Sequence, residues 1–392
     1  MRADVIVVGL GSMGAATAYH LARRGASVLG LDRLTPPHDQ GSHGGGSRII
    51  RMAYAEGAAY VPLLRRAYDL WGELERETGE TLLTTTGGLM LGPAGGTTVG
   101  GALASAREHQ LDHELLDAAA VRRRFPAFTP TDDEAGLYEE AAGLLRPEAA
   151  VQAYLRLAEA AGAQLRYGVP VTGWRATADG VVVSTGDGEL AAARLVVSAG
   201  GWAPQLLPDV AAAVQVERRV QHYFRSPGPA YHPDRFPVWV WEYAPGAAAY
   251  GLPAVDGGGF TDAVKAAHHQ VYDPVDPDLG AAPGEPAEGE TVREWLRNRL
   301  PELAAAPWLG GKQCLYSLTP DEHFIVGRHP AHEQVAVAAG FSGHGFKFAP
   351  VIGEILTDLA LTGATAHPIG LFAPDRFARA ADDLVTSLPP RS

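Results

Sequence analysis

The sequence predicts an α/β fold in which a Rossmann-like nucleotide-binding domain carries an inserted mixed-sheet domain. Three observations predict it. A β-branched run, Val5-Ile-Val-Val8, leads into Gly9-Leu-Gly-Ser-Met-Gly14 and then into a stretch of helix-forming residues. The chain has 392 residues, more than one hydrophobic core usually organises. Two stretches, 85–144 and 215–309, are richer in Pro, aromatics and short alternating segments than the rest. The expected division is a discontinuous nucleotide domain of residues 1–84, 145–214 and 310–392, with a substrate domain of residues 85–144 and 215–309.

Each element follows from its residues. Val5 to Val8 suit a strand buried on both faces. In the G-x-G-x-x-G that follows, Gly9 permits the tight turn, Gly11 lets a pyrophosphate approach the backbone, and Gly14 lets helix and strand pack closely. The helix over 15–24 presents free N–H groups to the phosphates and stops at Gly25. A second strand over 27–31 ends at Asp32, which lies 18 residues after Gly14, where a carboxylate can accept hydrogen bonds from an adenosine ribose. This pattern binds a dinucleotide but does not separate FAD from NAD.

Residues 41–51 form a glycine-rich loop full of N–H donors that ends in Arg48 and Arg51. Read as helical, its second half would set both arginines on one face, aimed at one anion or ring edge. The segment 60–78 is an amphipathic helix, with Val61, Leu64, Tyr68, Trp71 and Leu74 at spacings of three and four. A further helix is expected over 149–163. Leu195-Val-Val197 runs into Ser198-Ala-Gly-Gly201 as a buried strand ending at a ligand-facing turn. The same theme returns as a strand over 335–339, a glycine-rich loop, and a helix over 350–361. The Pro/Gly/Asp-rich stretch 274–289 reads as a surface loop.

Composition narrows the function. Hydrophobic residues make up 46% and charged residues 20%, as in an ordinary folded protein. A net charge of −13 with no Lys/Arg stripe argues against nucleic acid or an anionic membrane as partner. The apolar run from Val5 to Leu10 is too short for a membrane span or signal core, and a single cysteine cannot form an intrachain disulfide, so a cytoplasmic protein is expected. No metal site is expected. Of 32 basic residues only three are lysines: Lys265, Lys312 and Lys347. In so Arg-biased a chain, each is a candidate for a position needing a compact, titratable ammonium.

Several longer motifs point further. Ser47-Arg-Ile-Ile-Arg51, Ala55-Glu-Gly-Ala-Ala-Tyr-Val-Pro-Leu63, Gln313-Cys-Leu-Tyr-Ser-Leu-Thr-Pro-Asp-Glu-His-Phe324 and Gly340-Phe-Ser-Gly-His-Gly-Phe-Lys-Phe348 together resemble the monomeric sarcosine oxidase and N-methyltryptophan oxidase family. The resemblance runs from the first strand to about Phe372. It implies a p-hydroxybenzoate-hydroxylase-like fold, an FAD-binding domain plus a mixed-sheet substrate domain, with FAD bound covalently through its 8-methyl carbon to Cys314. Thioether formation needs a thiolate against an electrophilic methyl in a positively charged setting. Cys314 is the only cysteine available.

The resemblance also implies roles. Arg51 and Lys347 would clamp a substrate carboxylate with charge-assisted hydrogen bonds. His344 would sit beside the substrate and Arg48 near the flavin face. Lys265 and His269 would serve dioxygen, since an ammonium near reduced flavin stabilises developing superoxide. Tyr316 joins these as a catalytic candidate, with Tyr250 and Trp239 as substrate contacts. Cofactor contacts are expected from Gly9, Gly11, Ser12, Met13, Gly14, Asp32, Arg33, Ser42, His43, Arg48 and Ile49. Others are expected from Val171, Gly200, Gly343, Gly345, Phe346 and Lys347.

There are departures from the family pattern. Ser42-His-Gly-Gly-Gly-Ser-Arg48 stands where the family usually reads S-H-H-G-D-T-R, and extra residues separate Tyr250-Gly-Leu-Pro253 from Lys265. Val238-Trp-Val-Trp-Glu242 is unusually aromatic. Trp239, Trp241 and Tyr250 either pack behind the sheet or line the pocket, and in the second case a bulky substituent would find aromatic faces. The implied activity is oxidation of sarcosine or another N-methyl amino acid, with dioxygen reduced to hydrogen peroxide, by a monomer. Oxidation of a cyclic imino acid of the pipecolate or proline type, or of a biosynthetic amine, is the alternative within the class. A non-catalytic flavoprotein is the alternative outside it.

Overall fold

The computed structural model describes residues 3–269 and 273–377. Its first strand, Ala3–Val8, is flanked by parallel partners Val28–Leu31 and Gly188–Val197. Gln164–Arg166 continues the sheet on one side, and His332–Ala339 pairs in parallel with the end of Gly188–Val197. Val5, Ile6 and Val7 are fully buried because both faces of this sheet are covered. Helices Ser12–Arg23, Pro147–Ala160 and Ala349–Thr362 contribute to the core on one face. The first and last of these cross closely at Gly353, where a Cβ would stand 2.7 Å from the Ala16 backbone. Val8, Leu31, Val197 and Ala339 therefore end together, and the turns after them share the crevice at the carboxyl edge, where open α/β sheets bind ligands.

The second sheet has eight strands among the described residues, ordered Trp308–Leu318, Gln215–Arg225, Phe260–His268, Ala247–Gly257, Val238–Ala244, Gly88–Pro93, Glu134–Glu139 and Glu114–Asp117. All its pairings are antiparallel except that of Val238–Ala244 with Gly88–Pro93. Strand alternation divides it into two faces. Phe224, Trp239, Trp241, Val264 and Ala266 point to a separate core completed by Trp295 and Leu296. Gln221, Val240, Tyr250, Cys314 and Tyr316 point the other way, toward the first domain. The expected domain boundary at 310 is corrected here. Trp308–Leu318 pairs along its length with Gln215–Arg225, so Cys314 stands on an edge strand of the second sheet.

A small sheet joins the two domains. Arg48–Ile50 pairs with Gly143–Leu145, which also pairs with Leu83–Thr85. The helical reading of residues 48–51 is thereby overturned: a β-bridged segment alternates, so Arg48 and Arg51 leave on opposite sides. Within 274–289 the chain makes a short 3₁₀ turn, Pro277–Leu279, before helix Pro286–Leu296 opens with a reciprocal Glu285/Glu288 capping box. No helix among the described residues is long and apolar enough to cross a membrane.

Candidate active site

A continuous cavity of about 600 Å³ runs from the first glycine turn to the floor made by the second sheet. The glycines at its entrance differ in what demands them. A Cβ on Gly14 would fall 1.7 Å from the Gly9 carbonyl oxygen, and one on Gly9 would fall 2.5 Å from the Ser198 carbonyl oxygen. Packing within the protein explains both. A Cβ on Gly11 would meet nothing nearer than His43 Nδ1, at 3.6 Å, so that space is kept for something the protein does not supply. Helix Ser12–Arg23 opens there without a side-chain cap and with no acidic residue in its first turn, leaving N–H groups for an anion. His43 Nε2 accepts the His38 N–H at 3.2 Å, which leaves the ring proton on Nδ1, beside that space. Burial first, then the charges of His38 and Arg48, push the His43 imidazole down to about 3. Asp32 is spent on the protein, accepting the Leu10 N–H at 2.7 Å and the Leu34 N–H at 2.8 Å, which fixes the turn that carries Gly11.

These residues fit a dinucleotide, and every expected cofactor contact lines the cavity except Gly14, which packs behind it. Cys314 lines the cavity as well and is 2% exposed. The glycine loop is laced to its strand: Leu315 N–H donates to Gly41 O at 3.2 Å, and Ser42 Oγ donates to Leu315 O at 2.7 Å. Arg48 turns back on the same loop, donating to the carbonyls of Ser42 and Gly44 at 2.7 Å and of Ser47 at 2.8 Å.

The two expected carboxylate-binding cations meet around Tyr54. The Arg51 guanidinium lies 4.5 Å from the centre of its ring, and Lys347 Nζ lies 5.0 Å from the same ring. Lys347 donates to Tyr54 Oη at 3.2 Å and to His344 O at 2.8 Å. Tyr54 Oη in turn bonds His344 Nδ1 at 2.7 Å. His344 Nε2 lies 3.0 Å from Glu322 O, an acceptor only, so the ring proton sits on Nε2 and Tyr54 is the donor to Nδ1. Both His344 nitrogens are thus spoken for. Burial leads in pushing this imidazole down to about 3, with the Lys347 charge adding to it against Glu56. Lys347 is itself brought down to about 7 by burial and then by Arg51, against the pull of Glu56.

Glu56 was not anticipated. Both its oxygens accept from Arg51 Nη2 at 2.7 Å, and it lines the cavity. Burial alone would raise its carboxyl, but Arg51, followed by His344 and Lys347, holds it below the usual range. Its only sequence signal is a carboxylate five residues after the arginine inside the Ala55-Glu-Gly motif. Glu139, from the second sheet, also passed unnoticed. Its carboxylate accepts the N–H groups of Met52 and Ala53 at 2.8 Å, fixing the turn that follows Arg51.

On the floor, Lys265 and Ala267 share one side of strand Phe260–His268 by alternation, and His269 follows directly after it. His269 lines the cavity, with Nδ1 3.2 Å from Tyr316 Oη, while His268 turns away to Tyr243. Burial leads in lowering the His269 imidazole to about 4. Arg219 backs this pair. It donates to His269 O at 3.0 Å, faces the Tyr316 ring at 5.0 Å and is ion-paired to the equally buried Glu217. Lys265 does not line the cavity. It is fully buried just beneath, under residues 45–47, and burial, with Arg48 nearby, pushes it well down. Trp239 does not line it either, which corrects its expected substrate contact: it stacks on Trp295 at 5.7 Å in the opposite core, as Trp241 does edge-on, and only Val240 of that stretch reaches the cavity.

Comparison with known proteins agrees with this geometry. A family model described as FAD dependent oxidoreductase matches residues 4–359. The monomeric sarcosine oxidase of Streptomyces avermitilis is 47% identical over 381 residues, spanning 96% of this chain and 98% of the relative. The N-methyl-L-tryptophan oxidase of Citrobacter koseri is 38% identical over 383 residues, spanning 97% of this chain and 100% of the relative. Among solved structures, NikD, described as an unusual amino acid oxidase essential for nikkomycin biosynthesis, superposes with a TM-score of 0.81 at 28% identity, covering 95% of this chain and 97% of that one. A glycine cradle that keeps room for a ligand, and two buried cations beyond it, are what such an enzyme requires. The chain belongs to the FAD-dependent oxidoreductases, in the branch of the monomeric sarcosine and N-methyltryptophan oxidases, and is an amine-oxidising flavoenzyme.

Proposed function

We propose that the protein is an oxidase of a small N-methyl amino acid, sarcosine or one of similar size. The observation that carries this reading is the convergence of Arg51 and Lys347 on Tyr54 inside the cavity that also contains Cys314. Two buried cations bind a carboxylate and fix its orientation. FAD, when bound, supplies the acceptor for a hydride equivalent from the carbon beside the amine nitrogen and passes the electrons to dioxygen, giving hydrogen peroxide. Water then hydrolyses the imine to the demethylated amino acid and formaldehyde. The protein's own residues hold and orient: Arg51 and Lys347 take the carboxylate, Tyr54 and His344 hold Lys347 in place, and Val240, Tyr250, His269 and Tyr316 shape the floor. With Trp239 and Trp241 turned to the far core, Tyr250 alone of the three aromatic candidates reaches the cavity, which favours a small substituent over a bulky one. Peroxide release should therefore be faster with sarcosine than with N-methyltryptophan at equal subsaturating concentration. A clear preference for N-methyltryptophan would overturn the small pocket, and equal turnover of an N-methylamine lacking a carboxylate would overturn the clamp.

The same reading makes Cys314 the attachment point of the flavin. Its support is a sole cysteine, buried on the cavity floor and flanked by Arg48. Acid-precipitated protein should stay yellow and carry the mass of one FAD, and Cys314→Ala should release its flavin to the supernatant. Loss of the flavin from the unaltered protein under the same treatment would overturn the attachment.

A further inference from the structure

We propose that a seam of glycine backbone, Gly44–Gly46 against the hairpin tip at Gly257–Gly259, positions the Lys265 ammonium and so controls the reaction with dioxygen. The inference rests on the reading of Lys265 as the group that serves dioxygen. Lys265 is 2% exposed, and among the described residues no carboxylate hydrogen-bonds it. Its Nζ donates instead to Gly45 O at 2.6 Å and Ser47 O at 2.8 Å. A buried ammonium held by carbonyl dipoles goes where the carbonyls go, since leaving them would cost it unreplaced hydrogen bonds.

Those carbonyls belong to a loop without side chains of its own at 44–46, so its place is set by what presses on it. The Gly46 N–H donates to Glu148 at 2.8 Å, and Tyr223 Oη donates to Gly45 O at 2.7 Å. The Arg48 guanidinium holds Gly44 O and Ser47 O at 2.7 and 2.8 Å, and the remaining restraint is the seam. A Cβ on Gly46 would stand 2.6 Å from Gly257 C and Gly258 N, and one on Gly257 would stand 2.9 Å from Gly46 Cα. One on Gly258 would come within 2.7 Å of Tyr223 Oη. Backbones this close admit only glycine. The tip joins Ala247–Gly257 to Phe260–His268, the strand that carries Lys265. One hairpin therefore supplies both the ammonium and the surface that locates its acceptors. Phe260, stacked on Tyr223 at 4.4 Å, holds the tip down.

Gly257→Ala tests this. Gly257 is not in the left-handed region, so alanine adds no backbone strain and acts only by pushing the loop. In stopped-flow experiments on the holoenzyme, anaerobic reduction by sarcosine should stay within about twofold of the parent, while reoxidation by dioxygen should slow by about tenfold or more. Tyr223→Phe, which removes one restraint on Gly45 without adding atoms, should slow reoxidation by about threefold and decides the matter if Gly257→Ala does not fold. Combined with Lys265→Met, Gly257→Ala should add nothing to the slow reoxidation, as expected of two changes acting through one group. Equal slowing of both half-reactions by Gly257→Ala would overturn the seam, as would parental reoxidation in both Gly257→Ala and Tyr223→Phe while Lys265→Met is slow. Parental reoxidation in Lys265→Met would instead overturn the role of Lys265 itself.

Discussion

Lys347 shows how one side chain makes a site pH-sensitive. Its ammonium is desolvated and lies near the Arg51 charge, with Glu56 as the opposing influence, and these bring it down to about 7. Only the protonated form attracts a carboxylate, so below pH 7 both cations act and above it one is lost. The affinity of a simple carboxylate inhibitor, followed by the flavin spectrum, should therefore be flat on the acid side. It should weaken by up to about tenfold per pH unit on the alkaline side, with proton uptake on binding. Lys347→Met should abolish that limb and cost roughly 2–5 kcal/mol of binding. A limb that persists in Lys347→Met would assign the titration elsewhere. At this scale the sequence was informative where covalent geometry is restrictive. Gly9, Gly14 and Cys314 could be read because few residues can replace them. Tyr54, Glu56, Gln221 and Glu139 could not, because a phenol, an amide or a carboxylate in a loop or strand gives no sign of which distant group it will meet.

At the scale of elements, alternation divided each strand into two faces without saying which one met the cavity. For the aromatic stretch Val238-Trp-Val-Trp-Glu242 the inward side depends on register with its neighbour, where Val240 stands opposite Tyr250. The boundary drawn at 310 missed the edge strand Trp308–Leu318 for a similar reason: composition does not name the sheet that a segment will join. The turn after Arg51 gives this scale its prediction. Glu139 reaches from the second sheet to accept the Met52 and Ala53 N–H groups, so Glu139→Gln would set an amide NH₂ against donors. The variant should lose about 1–3 kcal/mol of stability, measured by urea unfolding. Its KM for sarcosine should rise more than its kcat falls, because Arg51 sits at the start of that turn. An unchanged KM would show that the turn does not hold the clamp.

For the whole molecule, the two-domain architecture and the nucleotide fold followed from length, one glycine turn and a change of texture. The meeting of the domains did not, since it is made largely of backbone: the small sheet through Arg48–Ile50, the seam at Gly46, and the lacing of Gly41 and Ser42 to Leu315. That Cys314 lies on the second sheet rather than the nucleotide domain has a mechanical consequence. A cofactor gripped at one end by the first domain and bonded at the other to a strand of the second would be a crosslink, closing a very long loop of chain as a disulfide would. The flavinylated protein should then melt in one cooperative step, several degrees above Cys314→Ala saturated with free FAD, and that variant should show the two domains parting before either unfolds. Calorimetry at matched flavin occupancy would reveal the difference, and coincident transitions would mean that the bond adds nothing to the interface. On this view the proposed thioether would be a rivet, keeping two halves of a folded chain in register as much as keeping a coenzyme from leaving.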